Sequence, residues 1–244
     1  MSVVFAISNQ KGGVGKTTSV VNLAGYCALA GKKTLVIDND PQGNASSVLG
    51  SGLADKSVYE GGVPSPTRLD GLLVIPASHD LHERERSLAQ GAQGRLALRS
   101  ALAPYRSAFD VIFIDCPPNL SLLPMNALLA CDRLILPVQC EYFAMEGMAQ
   151  LLAFVQDLRD TDHQVLTLHG ILLTMHDHRH PLCRDVEAQI RQHFGAKTFA
   201  TTIPRDVALA AAPSHGKTIL EHDPLSAGGI AYLAAAKELI DGLE

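Results

Sequence analysis

The chain has 244 residues and a formal net charge of −5, with 47% hydrophobic and 18% charged residues. This composition excludes a disordered polar protein, and the negative net charge excludes a global attraction to nucleic acid, so any DNA contact must come from a local patch. No run of about 18 apolar residues is present, which predicts that no segment spans a membrane. The N-terminal segment lacks the basic region of a secretory signal, and the five cysteines are scattered in apolar segments, so we expect a cytoplasmic protein with buried, reduced thiols.

Apolar runs of strand length alternate with helical patterns along the chain. Most runs are continuous Val, Ile and Leu without alternation, which is typical of parallel strands buried on both faces. This order predicts an α/β fold, a doubly wound and mostly parallel sheet flanked by helices, in one domain over residues 1–244. The predicted strands are Val3–Ser8, Thr34–Asp38, Leu72–Pro76, Val111–Asp115, Arg133–Pro137 and Leu166–Leu173; the predicted helices are Lys16–Ala30, Asp80–Leu102, Leu120–Ala130, Ala144–Arg159, Asp185–Phe194 and Ile230–Leu243; Gly50–Asp70 is predicted to be a surface loop.

A glycine-rich segment follows the first predicted strand and opens the first predicted helix. It reads SNQKGGVGKTT from Ser8 to Thr18, close to the phosphate-binding pattern G-x-x-x-x-G-K-[ST]. Glycines let backbone N–H groups close around phosphate oxygens; Lys16 would reach the β- and γ-phosphates, and the Thr17 hydroxyl would ligate Mg²⁺. The segment therefore predicts a P-loop NTPase that binds ATP or ADP with Mg²⁺ through Lys11, Gly12, Gly13, Val14, Gly15, Lys16, Thr17 and Thr18.

Acidic residues end two further predicted strands. Asp38 and Asp40 lie in D-N-D-P-Q-G-N, and Asp115 ends an apolar run in the manner of a Walker B aspartate, which holds Mg²⁺ through water. Ligands of doubly wound sheets bind at the carboxyl ends of the strands, so we expect these carboxylates to lie beside the glycine-rich loop.

The segment K-G-G-V-G-K-T-T that starts at Lys11, together with D-N-D-P-Q-G-N, resembles the deviant Walker A ATPases of the ParA/MinD superfamily, and within it the ParA/Soj partitioning proteins. Further similar segments at 137–147, 203–207 and 212–217 extend the resemblance from residue 3 to about 240. The resemblance implies that Lys11 crosses a dimer interface to the phosphates of the other subunit. It also implies that Asp40 orients the attacking water and that Asp38 supports the metal and the loop.

The same resemblance implies that Pro204 and Asp206 lie against the adenine. Asparagine is usual in the family where Asp206 stands, so this contact is expected to differ in detail, and a plain loop entering a helix is the alternative.

Features near both ends of the sequence make the resemblance strongest to the small, chromosomal-type Soj proteins within the superfamily. The phosphate loop begins at Lys11, which leads us to expect no N-terminal operator-binding domain of the kind that larger plasmid ParA proteins carry. The segment 230–244 contains Lys237 as its one basic residue, unlike the basic amphipathic tail of MinD, so no membrane binding is predicted.

Non-specific DNA binding is implied by the resemblance through surface arginines that neutralise phosphates. Arg179 matches one family arginine, whereas Ala208 stands where a second is usual, so the DNA site is expected to be weaker or rebuilt. A rebuilt DNA site would use Arg184, Arg191 and Lys197. The alternative is that these residues form an ordinary solvated helix face without contact to DNA. Three histidines and a cysteine lie near these arginines: His176, His178, His180 and Cys183. The histidines could add positive charge below about pH 6.5 and strengthen DNA binding there. Together with the cysteine they could also bind a metal, although their spacing matches no common zinc pattern.

These features predict an ATP-driven switch. ATP would close a homodimer that binds nucleoid DNA non-specifically, and hydrolysis stimulated by a ParB-like partner would reset it, so that chromosome or plasmid cargo is segregated. One alternative keeps the switch but positions a protein cargo, such as a microcompartment or a chemoreceptor array. Another is a metal-cluster carrier or reductase component, although the segment around Cys116 lacks the cysteine spacing of nitrogenase iron proteins. The sequence does not identify the cargo.

Overall fold

The structure is a computed structural model that describes residues 2–91, 93–162 and 166–243. Within these residues, seven strands form one sheet in the order β3-β4-β2-β5-β1-β6-β7. Every pairing is parallel except that of β3 with β4, which is antiparallel. The predicted doubly wound, mostly parallel sheet is confirmed. The strands are β1 Val3–Ile7, β2 Thr34–Asp38, β3 Ser65–Pro66, β4 Leu72–Ile75, β5 Val111–Asp115, β6 Arg133–Gln139 and β7 Thr167–Thr174.

Helices cover both faces of this sheet. Side chains alternate along each strand, so Val4 and Ala6 of β1 belong to one apolar core, whereas Phe5 and Ile7 belong to the other. The α-helices are α1 Lys16–Leu29, α2 Asn44–Val48, α3 Leu81–Ala89, α4 Ala97–Leu102, α5 Leu122–Ala130, α6 Ala144–Asp162, α7 Pro181–Phe194, α8 Val207–Ala211, α9 Ile219–His222 and α10 Ala227–Asp241. None of the helices in the described part of the chain is both long and apolar enough to cross a membrane.

The central strands bring the predicted acidic residues to one edge. Asp38 and Asp115 end β2 and β5 and lie opposite each other in the parallel register, while Ile7, the last residue of β1, lies opposite Asp115 on its other side. The glycine-rich loop leaves β1 at this edge, so the strand order itself places the loop between the two carboxylates and β6.

One predicted helix, Asp80–Leu102, is wrong as a single element. The chain forms α3 and α4, with a short 3₁₀ turn at Gly94–Leu96 between them, and Ala92 lies outside the described residues. A Cβ atom at Gly94 would lie 1.8 Å from the carbonyl oxygen of Leu88, so the chain turns back on α3 at a point where only glycine fits.

Other boundaries differ for identifiable reasons. Helix α7 begins at Pro181 and not at Asp185, because proline is well suited to the first helical turn. Helix α10 begins at Ala227 and not at Ile230, since Ser226 caps it by accepting a hydrogen bond of 3.1 Å from Gly229 N. The predicted loop Gly50–Asp70 contains a 3₁₀ turn at Val58–Glu60 and the short edge strand β3.

The cysteine prediction is confirmed. All five cysteines are buried and none forms a disulfide: Cys27, Cys116, Cys131, Cys140 and Cys183.

Candidate functional site

The glycine-rich loop has the backbone of an anion-binding turn. Gly13 and Gly15 adopt positive φ angles of 74° and 87°, which residues with a Cβ rarely do. Helix α1 follows directly, without a side-chain cap at Gly15 and without an acidic residue in its first turn. Its first backbone N–H groups therefore remain available, together with the positive end of the helix dipole, for phosphate oxygens.

Two side chains fasten this loop to neighbouring strands. Asn9 donates a hydrogen bond of 2.7 Å to the carbonyl of Pro137 in β6 and accepts one of 3.0 Å from the backbone of Lys11. Thr174, at the end of β7, donates a hydrogen bond of 2.8 Å to the carbonyl of Val14. The loop is thus held open before any ligand binds, which lowers the entropic cost of binding.

Lys16 lies at the centre of the site and is buried. Its Nζ donates a hydrogen bond of 2.9 Å to the carbonyl oxygen of Lys11 across the loop. Burial lowers the pKa of Lys16, whereas the negative charge of Asp115 opposes that change. A phosphate group would add negative charge next to the ammonium, so the site is matched to an anion.

Asp38 is buried and serves the loop that follows β2. Its Oδ2 accepts hydrogen bonds from the backbone N (2.7 Å) and the hydroxyl (2.6 Å) of Ser46, and its Oδ1 accepts one of 3.2 Å from Asp40 N. Burial raises the pKa of Asp38 to about 6, although the bonds from Ser46 act against the rise. Asp38 thus supports the loop after β2 through hydrogen bonds, in agreement with one part of its expected role. Support of a metal stays a prediction.

Asp115 has the properties of a cation ligand. It is fully buried, and neither of its carboxylate oxygens makes a hydrogen bond to a described residue. Burial, and after it the charge of Asp38, raise its pKa well above the usual range, while the side chain of Thr17 acts in the opposite direction. A pair of orphaned carboxylate oxygens beside a threonine hydroxyl fits a hard, oxygen-seeking ion such as Mg²⁺.

Asp40 lies on the wall of an open cavity of about 470 Å³ at the carboxyl edge of the sheet. Its Oδ1 accepts a hydrogen bond of 2.9 Å from Gln42 N, which fixes the orientation of the carboxylate. The cavity joins the loop to the segments after β2 and β7 and is lined by Gly13, Gly15, Lys16, Thr17, Thr18, Asp40, Gln42, Asn44, Pro118, Thr174, Met175, Ile203, Pro204, Arg205, Asp206, Leu209, Ala210 and Tyr232.

The far end of the cavity contains Pro204 and Asp206, as the sequence predicts. The side chain of Asp206 is itself engaged, because Oδ1 caps α8 through Ala208 N at 2.8 Å and Oδ2 accepts from Gly228 N at 2.7 Å. Asp206 therefore builds this wall as a helix cap, which agrees with the alternative of a loop that enters a helix; contact with adenine stays a prediction.

Lys11 lies at the rim, half exposed, and forms an ion pair with Glu141 of the same chain. The side chain of Lys11 thus pairs with Glu141, whereas its backbone carbonyl accepts the hydrogen bond from Lys16 Nζ. The position agrees with a lysine that acts outside its own phosphate pocket.

The candidate DNA-binding arginines differ in how they are engaged. Arg179 is 78% exposed and makes a two-pronged contact with Asp177, with Nη2 at 2.7 Å from Oδ2. Arg184 is exposed and donates to the carbonyl of His178 at 2.7 Å. Arg191 bonds Glu187 and the carbonyls of Phe199 and Ala200, so its guanidinium serves the fold.

Several wall residues were not predicted from the sequence. Thr174 and Met175 end β7, and Met175 is the non-glycine residue with a positive φ (48°) among the described residues. Tyr232 reaches the cavity from α10, where its hydroxyl lies 3.0 Å from Ser19 Oγ. Arg205 lies between the predicted residues Pro204 and Asp206, so the motif itself could have suggested it.

Known proteins resemble this chain over almost its full length. The profile of a family described as "AAA domain" matches residues 2–168. The "Chromosome-partitioning ATPase Soj" of Thermus thermophilus is 48% identical over 243 residues, which cover 97% of this chain and 94% of that protein. The "Chromosome partitioning protein ParA" of Caulobacter vibrioides is 43% identical over 249 residues, which cover 97% and 93%.

A solved structure is similar in sequence as well as in fold. It is described as cobyrinic acid a,c-diamide synthase from Mycobacterium smegmatis with bound ADP and magnesium, and it is 34% identical to this chain. The TM-score is 0.84, and the match covers 98% of this chain and 94% of that one.

Proposed function

Because this chain belongs to the ParA/Soj family of P-loop ATPases, we propose that it is a partitioning ATPase that binds ATP and ADP with Mg²⁺ and hydrolyses ATP to ADP and phosphate. The partitioning relatives, at 43% and 48% identity, are more similar to the chain than the diamide synthase at 34%, which favours partitioning over a biosynthetic activity. Residues 1–244 would act as one ATPase domain.

The observation that supports the activity most directly is the grouping of three buried ionisable residues at this edge of the sheet. Lys16, Asp40 and Asp115 are all less than 10% exposed, and they come from three different segments of the chain. Lys16 and Asp40 line the cavity, and both Asp115 and Asp40 act on the pKa of Lys16 through their charge. Ionisable groups are costly to bury unless a ligand compensates them, so this grouping beside one cavity supports a charged ligand.

Each residue has a role that follows from its position. Lys16 and the N-terminus of α1 would neutralise the terminal phosphates, Thr17 and Asp115 would hold Mg²⁺, and Asp40 would orient the attacking water. Phosphoryl transfer depends on positioning and charge stabilisation more than on covalent help, so this set is sufficient for slow turnover.

The switch would operate between two subunits. Lys11 Nζ pairs with Glu141 at the rim of the loop, which supports a role for this lysine at the nucleotide of a second copy. In the ATP dimer, Arg179 and Arg184 would contact DNA phosphates of the nucleoid in the cytoplasm, and a ParB-like protein would accelerate hydrolysis and release the DNA.

DNA retention across a salt series, measured with Mg-ATP and with Mg-ADP, tests this proposal. We expect retention with Mg-ATP alone, decreasing steeply with salt because binding releases counterions. Asp40→Ala serves as the locked form, which should bind ATP, hydrolyse it slowly and retain DNA for longer. Equal retention with both nucleotides would contradict the switch, and normal hydrolysis by Asp40→Ala would contradict the assigned role of that residue.

A further inference from the structure

A second cluster of ligand-type side chains lies outside the nucleotide cavity. Cys140 directly follows β6, His176 lies two residues beyond the end of β7, and Cys183 lies in the first turn of α7. The two sulfur atoms and a ring nitrogen of His176 all lie within 4.8 Å of one another. Cys140 thus meets two residues from a segment more than 30 positions further along the chain.

The separation of these atoms is close to that of a metal site. With Zn–S bonds of about 2.3 Å and Zn–N bonds of about 2.0 Å, the ligand atoms of a tetrahedral zinc site lie about 3.5–3.8 Å apart. Atoms within 4.8 Å of one another need to approach by about 1.3 Å at most to enclose an ion. Both cysteines are buried and His176 is 10% exposed, so this adjustment occurs within a shielded pocket.

One ring nitrogen of His176 is paired with a carboxylate. Glu187 Oε2 lies 2.7 Å from His176 Nε2. A histidine that binds a metal usually pairs its other ring nitrogen with a carboxylate or a carbonyl, which fixes the orientation of the ring. The contact with Glu187 therefore leaves Nδ1 of His176 as the ring nitrogen that can bind an ion.

Hydrogen bonds around the cluster support negatively charged ligands. The backbone N of Asp177 donates to Cys183 Sγ at 3.4 Å, a contact that stabilises a thiolate. Arg191 Nε donates to Glu187 Oε1 at 2.8 Å, which leaves Oε2 directed towards His176. Outer partners of this kind orient the ligands of a metal.

We propose that Cys140, His176 and Cys183 bind one zinc ion, with Glu187 orienting the imidazole from outside the site. Two thiolates and one imidazole are ligand types that Zn²⁺ prefers, and a water molecule would complete the tetrahedral coordination. On binding, each thiol releases its proton to solvent. His178 and His180 take no part: His180 is 74% exposed and its Nε2 lies 3.5 Å from Asp177 Oδ2.

The site adjoins both surfaces that the proposed switch uses. Cys140 precedes Glu141, the partner of Lys11, whereas His176 lies between Met175 of the cavity wall and Asp177, the partner of Arg179. His176 also pairs its backbone with the wall segment, accepting from Arg205 N at 3.2 Å and donating to Ile203 O at 2.9 Å. A bound ion would therefore fix the ends of β6 and β7 and the start of α7 relative to one another.

Metal titration of the purified full chain under reducing conditions tests the proposal. We expect one equivalent of Zn²⁺ to remain after dialysis, and Co²⁺ in its place to give a thiolate-to-cobalt charge-transfer absorption. Zinc at about 1,000-fold above its Kd should raise Tm by roughly 5–15 °C, because the ion binds the folded state selectively.

Cys183→Ala and His176→Gln should each weaken zinc binding by at least about 100-fold, whereas Cys27→Ala, which removes a buried thiol on α1, should leave it unchanged. Failure of the wild-type chain to bind zinc or cobalt would overturn the proposal without recourse to any variant. A disulfide between Cys140 and Cys183 that persists in reductant, or equal loss of binding in Cys27→Ala, would overturn it as well.

Discussion

The ammonium of Lys11 and the carboxylate of Glu141 form an ion pair within one chain, at the rim of the phosphate loop. The two side chains are 43% and 47% exposed, so the contact is solvated and contributes at most about 1 kcal/mol. A lysine held this weakly can exchange its carboxylate for the phosphates of a second subunit at little cost. Glu141 is thus the partner that a second subunit's phosphates would have to replace.

We expect Lys11→Ala to retain ATP affinity within a few-fold and to lose ATP-dependent dimerisation, because its Nζ does not contribute to its own phosphate pocket. Size exclusion with Mg-ATP in the Asp40→Ala background measures the dimer. Glu141→Gln is the matched variant: it should dimerise up to about five-fold more readily, since only a weak competing contact is lost. Normal dimerisation of Lys11→Ala would show that the lysine acts on its own subunit's nucleotide.

Lys16→Ala should raise the Kd for ATP by at least about 100-fold. The buried ammonium is the cation nearest to the expected phosphates, and removal of one partner from a buried charge pair typically costs about 2–5 kcal/mol. Equilibrium binding of a fluorescent ATP analogue gives the Kd. Lys33→Ala, which removes an exposed lysine at the other end of the sheet, should bind normally, and unchanged affinity of Lys16→Ala would refute the assignment of the phosphate loop.

Arg179→Ala and Arg191→Ala should separate DNA contact from folding. Arg179→Ala should lower the slope of log Kobs against log salt by roughly one unit at unchanged Tm, because its exposed guanidinium contacts only Asp177. Arg191→Ala should lower stability by about 1–3 kcal/mol, since Glu187 and the carbonyls of Phe199 and Ala200 lose their donor. A normal salt slope in Arg179→Ala would remove that residue from the DNA interface.

Acid should destabilise the fold through His169. Its ring packs edge-on against Phe5 and Phe199, and burial, followed by the charges of Arg133 and Lys197, lowers its pKa to about 4. The unfolded chain takes up this proton near pH 6.5 and the folded chain only near pH 4, so stability is full above pH 6.5 and is lost as the pH falls between these values.

Because His169 is only partly buried, we expect this loss to amount to about 1–2 kcal/mol. Urea unfolding of His169→Gln at pH 7 and pH 4.5 should show a correspondingly smaller difference between the two pH values. His82→Gln, at an exposed position on α3, should behave as the wild type; an identical pH dependence in His169→Gln would refute the assignment to this histidine.

The residues that the sequence predicted best are those that combine a local motif with a strand end. Lys16 and Asp115 have positions set by the strand order alone, and both lie at the predicted edge of the sheet. The engagement of Asp38 by Ser46 was not predictable, because it depends on how α2 folds back onto β2. The helix break at Gly94 was missed since the apolar pattern continues on both sides of it.

The cluster of Cys140, His176 and Cys183 was likewise not predictable from the sequence as a whole. Sequence spacing joins Cys183 to three nearby histidines, and the structure retains His176 among them. It adds Cys140, which reaches Cys183 because β6 and β7 are neighbours in the sheet. Contacts between neighbouring strands leave no signal in the local spacing of residues, so the spacing around Cys183 could not indicate Cys140.

Asp206 carries a consequence for the end of the chain. Its two oxygens bind the N-termini of α8 and α10, and α10 in turn contributes Tyr232 to the cavity and to a contact with α1, the helix that follows the phosphate loop. The last helix is therefore a wall of the nucleotide pocket and not an appendage to it. A truncation or tag that displaces α10 should therefore weaken nucleotide binding, although α10 and the phosphate loop lie far apart in the sequence.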